Sequence, residues 1–261
     1  MPPNNDNELS NFHECDLFLL SSHFPWSAER SLDSFVQLGR RNIDGWGIGS
    51  YRNGRANVVK SELSANNGGE VSREFSVAMN AISSEIVLGH LRLTSSGGNN
   101  AANNHPFKLN FLGYDWLMIH NGTGRRINEI VPHDERLLIN STNDSARAFE
   151  YLRKSIIAYY CSDPKKSLIE AVRNAYTKLL ENDPNGSYNI ILTNGYLSWC
   201  FIHWRPFYVL NREKELGNVS LISTIKLNNY EEWIEFKPSA KNRAKMLVFS
   251  GHSLVLNGDV K

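Results

Sequence analysis

The apolar signal in this chain changes kind twice along its length, and that order restricts the folds open to it. Short strand-like runs fill the first half, two helices with long apolar stripes occupy the middle, and strand signals alone follow. Residues 143–160 carry Ala148, Leu152 and Ile156 at helical spacing, and residues 165–181 carry Leu168, Val172, Tyr176 and Leu180. The cluster Asn182-Asp183-Pro184-Asn185-Gly186 stops the second helix. Runs at 188–193, 196–203, 206–210, 220–225, 246–250 and 253–256 then read as strands. Strands gathered on both sides of a helical block point to layered α+β rather than alternating βαβ units. No internal repeat or long linker divides the chain, so a single domain is expected.

The first half has its own landmarks. Residues 1–14 are polar and rich in Pro and Asn, and 15–22 turn abruptly apolar, so the break at Glu14–Cys15 is the sharpest in the sequence. Residues 27–40 form an amphipathic helix through Leu32, Phe35, Val36 and Leu38, capped by Ser27. Residues 45–51 and 56–60 make a hairpin about Asn53-Gly54. A second helix is expected over 73–83 and strands over 85–93 and 114–120. Residues 94–104 contain only Thr, Ser, Gly, Asn and Ala, a loop expected to pack nothing of its own.

Composition removes several functional classes. Hydrophobic residues at 41% and charged residues at 21% are ordinary for a globular chain and exclude wholesale disorder. With 28 Lys plus Arg against 27 Asp plus Glu, no global footprint for nucleic acid or an acidic membrane exists. Apolar runs such as Leu17-Phe18-Leu19-Leu20 are far too short to span a bilayer. The first residues lack the basic and apolar regions of a secretory signal. The three cysteines, Cys15, Cys161 and Cys200, are odd in number and widely spaced, which indicates neither a disulfide framework nor a zinc site. The expectation is a soluble cytoplasmic protein with no metal, no cofactor, and no nucleic-acid or membrane partner.

Singly, the polar motifs have plain explanations. A cysteine opening a strand is more often a small buried hydrophobe than a nucleophile. Asp44-Gly45-Trp46-Gly47 reads as a turn entering a strand, and His120-Asn121-Gly122 as a hairpin turn. Their order says more. Cys15 is followed by Arg41-Asn42-Ile43-Asp44-Gly45-Trp46-Gly47-Ile48-Gly49 and then Gly89-His90-Leu91-Arg92-Leu93-Thr94-Ser95-Ser96-Gly97. Asn104-His105-Pro106-Phe107, His120-Asn121-Gly122 and Thr142-Asn143-Asp144-Ser145 complete the series. This succession resembles the class II glutamine amidotransferases, a branch of the N-terminal-nucleophile hydrolases, and in particular their small stand-alone members with Asp-Gly-Trp-Gly.

The resemblance implies a four-layer αββα sandwich with Cys15 at the free end of the first strand as nucleophile. In the family the base is that cysteine's own α-amine, which titrates near 8 and can take the thiol proton and later return one to departing ammonia. The side-chain amide of Asn121 and the backbone N–H of Gly122 match the family's oxyanion donors. Arg92 matches the arginine that clamps the α-carboxylate, and Asp144 the aspartate that receives the α-ammonium. Ser95 stands where many relatives place a threonine beside the substrate. Without the resemblance, Arg92 reads as a strand-end ion pair and Asp144 as a helix-start anion. His90, His105 and His120 are expected to be structural, and Arg41 borders the site with its role open.

Three departures from the family pattern matter. Cys15 is not the first residue, so 1–14 is expected to be an extension or propeptide ahead of an amidotransferase-like domain over 15–261. The acidic residue usual two places after the aspartate is missing from Asp144-Ser145-Ala146, and Leu93 and Ser96 stand where synthase-linked members carry Trp and His. The expected activity is cleavage of the γ-amide of glutamine or a γ-glutamyl compound through a γ-glutamyl thioester, releasing ammonia or an amine. A separate synthase or peptidase subunit is the expected protein partner. The rival reading is a non-catalytic descendant that retains the extension and binds a glutamate-like ligand or a partner.

Overall fold

The apolar run after Cys15 becomes β1 (Asp16–Ser27) in the first of two central sheets. The computed structural model describes residues 14–94, 98–132, 137–212, 218–238, 240 and 243–260. The expected 1–14 extension therefore lies outside the described residues except for Glu14. Leu17, Phe18, Leu19 and Leu20 are all buried, with Phe18 and Leu20 on one face and Leu17 and Leu19 on the other. An uninterrupted apolar run in a strand means cover on both sides. Here one side is helical and the other is a second sheet.

The seven-stranded sheet runs β13 (Ile234–Phe236), β11 (Phe207–Arg212), β12 (Val219–Ser223), β1, β6 (Ser83–Leu91), β2 (Trp46–Arg52) and β3 (Arg55–Ser61). The six-stranded sheet runs β15 (Ser253–Val260), β14 (Ala244–Ser250), β10 (Leu197–Ile202), β9 (Ser187–Thr193), β8 (Tyr114–Thr123) and β7 (Phe107–Phe111). A small ladder, β4 (Asn66–Asn67) with β5 (Glu70–Val71), stands apart. Helices α1 (Glu29–Val36) and α2 (Arg73–Asn80) cover the first sheet through Leu32, Phe35, Phe75 and Met79. Helix α3 (Ile127–Ile130) is a single turn, and α4 (Asp144–Tyr160) and α5 (Leu168–Asn182) cover the second sheet.

Three apolar layers fill the three spaces between these four layers. Strand alternation sorts the residues among them. Trp199 and Phe201 face the helices while Cys200 and Ile202 face the other sheet, and Met246 and Val248 separate from Leu247 and Phe249 in the same way. The fold is the αββα sandwich.

Several local expectations change. β1 continues to Ser27, so the N-cap position of α1 falls on Ala28, and the Ser27 hydroxyl only accepts from the Glu29 amide at 3.4 Å. α1 ends at Val36 and tightens into a 3₁₀ turn over Gln37–Arg40. Asn121 and Gly122 do not form a hairpin turn: both lie inside β8, opposite Asn189 and Tyr188 of β9. Residues 94–104 were expected to pack nothing, yet Asn103 and Asn104 are buried, because side-chain amides can replace apolar cover with hydrogen bonds. Strands β7 and β13 and helix α3 were not anticipated, although Phe107, Leu109 and Phe111 alternate cleanly. No helix among the described residues is long and apolar enough to cross a membrane.

The two cysteines away from β1's start separate by position. Cys200 is fully buried between the sheets, and Cys161 is exposed at the end of α4. Cys200→Ser should lower unfolding free energy by about 1–3 kcal/mol in urea titration, since a hydroxyl enters an apolar layer. Cys161→Ser should stay within about 0.5 kcal/mol of the parent.

Candidate functional site

β1 is antiparallel to both β6 and β12, so its N-terminal end meets their C-terminal ends and the start of β2. Cys15 sits at that rim. Its sulfur accepts from the Leu93 amide at 3.3 Å, and its thiol donates to the Leu93 carbonyl at 3.3 Å. The residue is partly exposed, but protein atoms pack densely around the sulfur, and that burial pushes the thiol up to about 12. The negative charges of Glu14 and Asp16 push the same way, while the Leu93 amide and Arg92 oppose them.

The next residue, Asp16, is fully buried. Arg41 reaches its Oδ2 with Nη2 at 2.7 Å and Nε at 3.2 Å, and Asn42 Nδ2 donates to the same oxygen at 2.6 Å. Arg205 Nη2 donates to Oδ1 at 3.0 Å and the Thr224 hydroxyl donates to it at 2.9 Å. Burial alone would raise this carboxyl, but the Arg205 and Arg41 guanidiniums outweigh it and hold the carboxyl below its ordinary range. Asp16 and Arg205 escaped the sequence reading. A charge directly before Leu17-Phe18-Leu19-Leu20 was the available signal for the first, since a buried charge needs partners. Nothing local marked the second.

Arg205 belongs to a loop held from below by one side chain. Asn189 Oδ1 accepts from the amides of His203 at 2.9 Å, Trp204 at 3.1 Å and Arg205 at 3.4 Å, and its Nδ2 donates to the Arg205 carbonyl at 2.5 Å. The loop hangs over the end of β8. Trp204 Nε1 donates to the Asn121 carbonyl at 3.2 Å, and the Asn121 side-chain amide donates to the Cys15 carbonyl. Arg205 Nη1 donates to that same Cys15 carbonyl at 3.3 Å. Gly122 follows at φ +136°, where a Cβ would collide with the Ser187 carbonyl, so only glycine fits.

Arg92 follows β6 and is almost fully buried. Its amide donates to the Gly45 carbonyl at 2.9 Å and its carbonyl accepts from Asp44 at 3.1 Å, which ties it to the Asp-Gly-Trp-Gly segment. Its guanidinium donates to Gly98 O at 3.2 Å and Asn104 Oδ1 at 3.1 Å. It lies close enough to Cys15 for each to bear on the other's charge. Ser95 lies outside the described residues. Gly47 is required for the same steric reason as Gly122, though without its positive φ: a Cβ there would enter the His105 carbonyl. Asp144 opens α4, accepting from the Gly124 amide at 2.7 Å and the Ser145 amide at 3.0 Å. Its neighbour Asn143 caps the helix at the Ala146 amide (2.9 Å) and donates to the Asn103 carbonyl at 2.9 Å. The Cys15 thiol, the Asn121 amide and the Arg92 guanidinium thus meet at one rim, with Asp144 near enough to act on the adjoining Glu14.

Three buried histidines lie beneath. His120 Nε2 is 3.1 Å from the Ser187 carbonyl, which only accepts, so Nε2 carries the proton and Nδ1 accepts from the Ser145 hydroxyl at 2.8 Å. His90 Nε2 donates to the His120 carbonyl at 3.3 Å, and the His105 ring lies 4.3 Å from that of His90. Burial lowers all three, His90 to about 3. Neutral in the folded state, they take up protons on unfolding below about pH 6.5, so folding stability falls as pH drops through that point. Denaturant titrations at pH 5.5 and 7.5 should differ by on the order of 1 kcal/mol for each of His90 and His105. His105→Leu should reduce the difference whatever it does to absolute stability.

Comparison with known proteins bears on the family and the fold. The chain is 26% identical over 214 residues to an uncharacterized protein, MJ1515, of Methanocaldococcus jannaschii, covering 79% of this chain and 57% of that one. Its fold matches the crystal structure of a predicted glutamine amidotransferase from Pseudomonas aeruginosa at a TM-score of 0.63 and 17% identity, over 93% of this chain and all of that one. It matches the glutamine phosphoribosylpyrophosphate amidotransferase of B. subtilis at a TM-score of 0.66 and 12% identity, over 95% of this chain and 49% of that one. The chain thus spans little more than half of the archaeal relative and about half of the B. subtilis enzyme. The family model for class-II glutamine amidotransferases matches residues 14–257. The chain belongs to the class II glutamine amidotransferases.

Proposed function

We propose that the protein cleaves the γ-amide of glutamine or of a γ-glutamyl compound, with Cys15 as nucleophile after removal of residues 1–14. The observation that carries the reading is the meeting of Asn121 on β8 and Arg92 after β6 at Cys15, with Asp144 at the start of α4 near enough to bear on the adjoining Glu14. In maturation the Cys15 sulfur attacks the Glu14 carbonyl, the C–N bond breaks as the amine takes a proton, and water opens the resulting thioester. The freed amine then takes the thiol proton, and sulfur attacks the substrate's γ-carbonyl. Asn121 and the Gly122 amide stabilise the oxyanion, and the protonated amine returns its proton to the departing ammonia or amine. Water hydrolyses the γ-glutamyl thioester to glutamate and restores the thiol. Arg92 holds the α-carboxylate through its guanidinium fork and Asp144 holds the α-ammonium. Ser95 would lend a hydroxyl beside the substrate. Ammonia released here can serve a synthase partner, and amine release fits a role beside a peptidase.

The rival, a binding protein that keeps its extension, draws on the enclosed thiol and on the internal acceptors already held by Arg92. Intact mass together with glutamate release separates the two. Active protein should begin at Cys15, and Cys15→Ala should abolish both cleavage and turnover. Active protein that still carries residues 1–14 overturns the maturation step, and protein that retains residues 1–14 and is inert on every γ-glutamyl amide supports the rival.

Asn121→Ala should reduce kcat/KM on the order of 10²-fold, mostly in kcat, because the charge it meets exists only after attack. Normal turnover at saturation with raised KM would make it a binding residue instead. N-acetylglutamine should be poorer than glutamine by more than about 10²-fold in kcat/KM, since capping the amine leaves Asp144 without its counter-charge. Equal values would remove Asp144 from substrate recognition.

A further inference from the structure

Arg205 joins the two residues on which the site turns. Nη1 lies 3.3 Å from the Cys15 carbonyl and Nη2 3.0 Å from Asp16 Oδ1, and the side chain is only 5% exposed. Its loop is pinned through three amides and one carbonyl by Asn189. Covalent geometry then places the backbone nitrogen of Cys15 within about 7 Å of the guanidinium.

We infer that Arg205 is a positioning residue for Cys15: it fixes the carbonyl of that residue, so that thiol and backbone nitrogen share one orientation, and it keeps the charge around that nitrogen positive. The inference rests on the proposed use of Cys15 as a terminal nucleophile. The charged groups facing the nitrogen come from every element around it. Arg205 follows β10, Arg41 follows the 3₁₀ turn, Asp16 lies on β1, Arg92 follows β6, Asp144 opens α4, Arg125 follows β8 and Asp44 precedes β2. Glu14 leaves with the extension. Asp16 answers one of the two guanidiniums that grip it, and Arg92 and Arg125 stand against Asp44 and Asp144, so four cations face three carboxylates. The three histidines are neutral. A free amine set here is surrounded by net positive charge, which opposes its protonation and keeps it available as a base at lower pH.

The test uses matured protein and the pH profile of kcat/KM for glutamine, whose acidic limb reports protonation of the amine. Arg205→Met should lower kcat at least about 10-fold and move that limb upward by about half a unit to one unit. Arg205→Lys keeps the charge but loses the fork, so kcat should fall while the limb stays in place. Asp16→Asn should move the limb the other way, to lower pH, and decides the matter if Arg205→Met does not fold. An unmoved limb in Arg205→Met with reduced kcat assigns Arg205 a purely structural role and overturns the inference, as does an unmoved or raised limb in Asp16→Asn. Turnover that survives Cys15→Ala refutes the nucleophile itself. Turnover that requires Cys15, in protein beginning at Cys15 but with unmoved limbs, refutes only Arg205.

Discussion

A fully buried carboxylate at the start of β1 organises this molecule. Asp16 keeps its charge away from water only because Arg41, Asn42, Arg205 and Thr224 surround it, and those partners come from three distant stretches of chain. Thr224 closes the end of β12, Arg41 and Asn42 follow the 3₁₀ turn, and Arg205 reaches over from the second sheet. Stripping a partner from such a group leaves an uncompensated charge worth several kcal/mol. The start of β1 therefore cannot shift without disturbing both sheets.

The polar rim is affordable because three apolar layers hold the strands that carry it. Each central strand is covered on both faces, so its register is set by which residues face which layer, and a slip of one residue would exchange them all. Helix α4 adds a second tie. Its first residues reach in three directions, Asn143 to Asn103, Asp144 to Gly124 and Ser145 to His120. The Asn-Asp-Ser segment thereby fastens the loop near Arg92, the end of β8 and the histidine layer to one helix start.

With the Glu14–Cys15 bond intact, the donors of the site are held by acceptors within the protein. The thiol is bonded at both ends to Leu93, Asn121 donates to the carbonyl of Cys15, and Arg92 donates to Gly98 and Asn104. The enclosed sulfur is a weak nucleophile in this state, because burial and the nearby carboxylates both favour the thiol. In the proposed reaction a glutamyl group takes over these partners, and loss of Glu14 removes one of the negative charges that hold the thiol protonated.

How far the sequence reaches is visible residue by residue. The two long helices and the first apolar strand were legible, because a 3.6-residue stripe in α4 and α5 and a continuous apolar run in β1 are local consequences of burial. Cys15, Arg92, Asn121, Gly122 and Asp144 were legible as an ordered set of motifs, and folding brings their segments to one rim. Where Asn121 sits was misread, since a local His-Asn-Gly pattern suits a turn and a strand equally and only pairing with Asn189 of β9 puts it inside β8. Asn103 and Asn104 looked like loop filler because an amide shows its value only once its partners arrive. The sequence by itself determined the layered α+β class, through hydrophobic periodicity that each element carries alone, and its ordered motifs, through their family resemblance, implied the four-layer order. The tertiary structure decided the electrostatics of the site, because the partners of Asp16 lie 25, 26, 189 and 208 residues away in the chain and meet only when both sheets are closed.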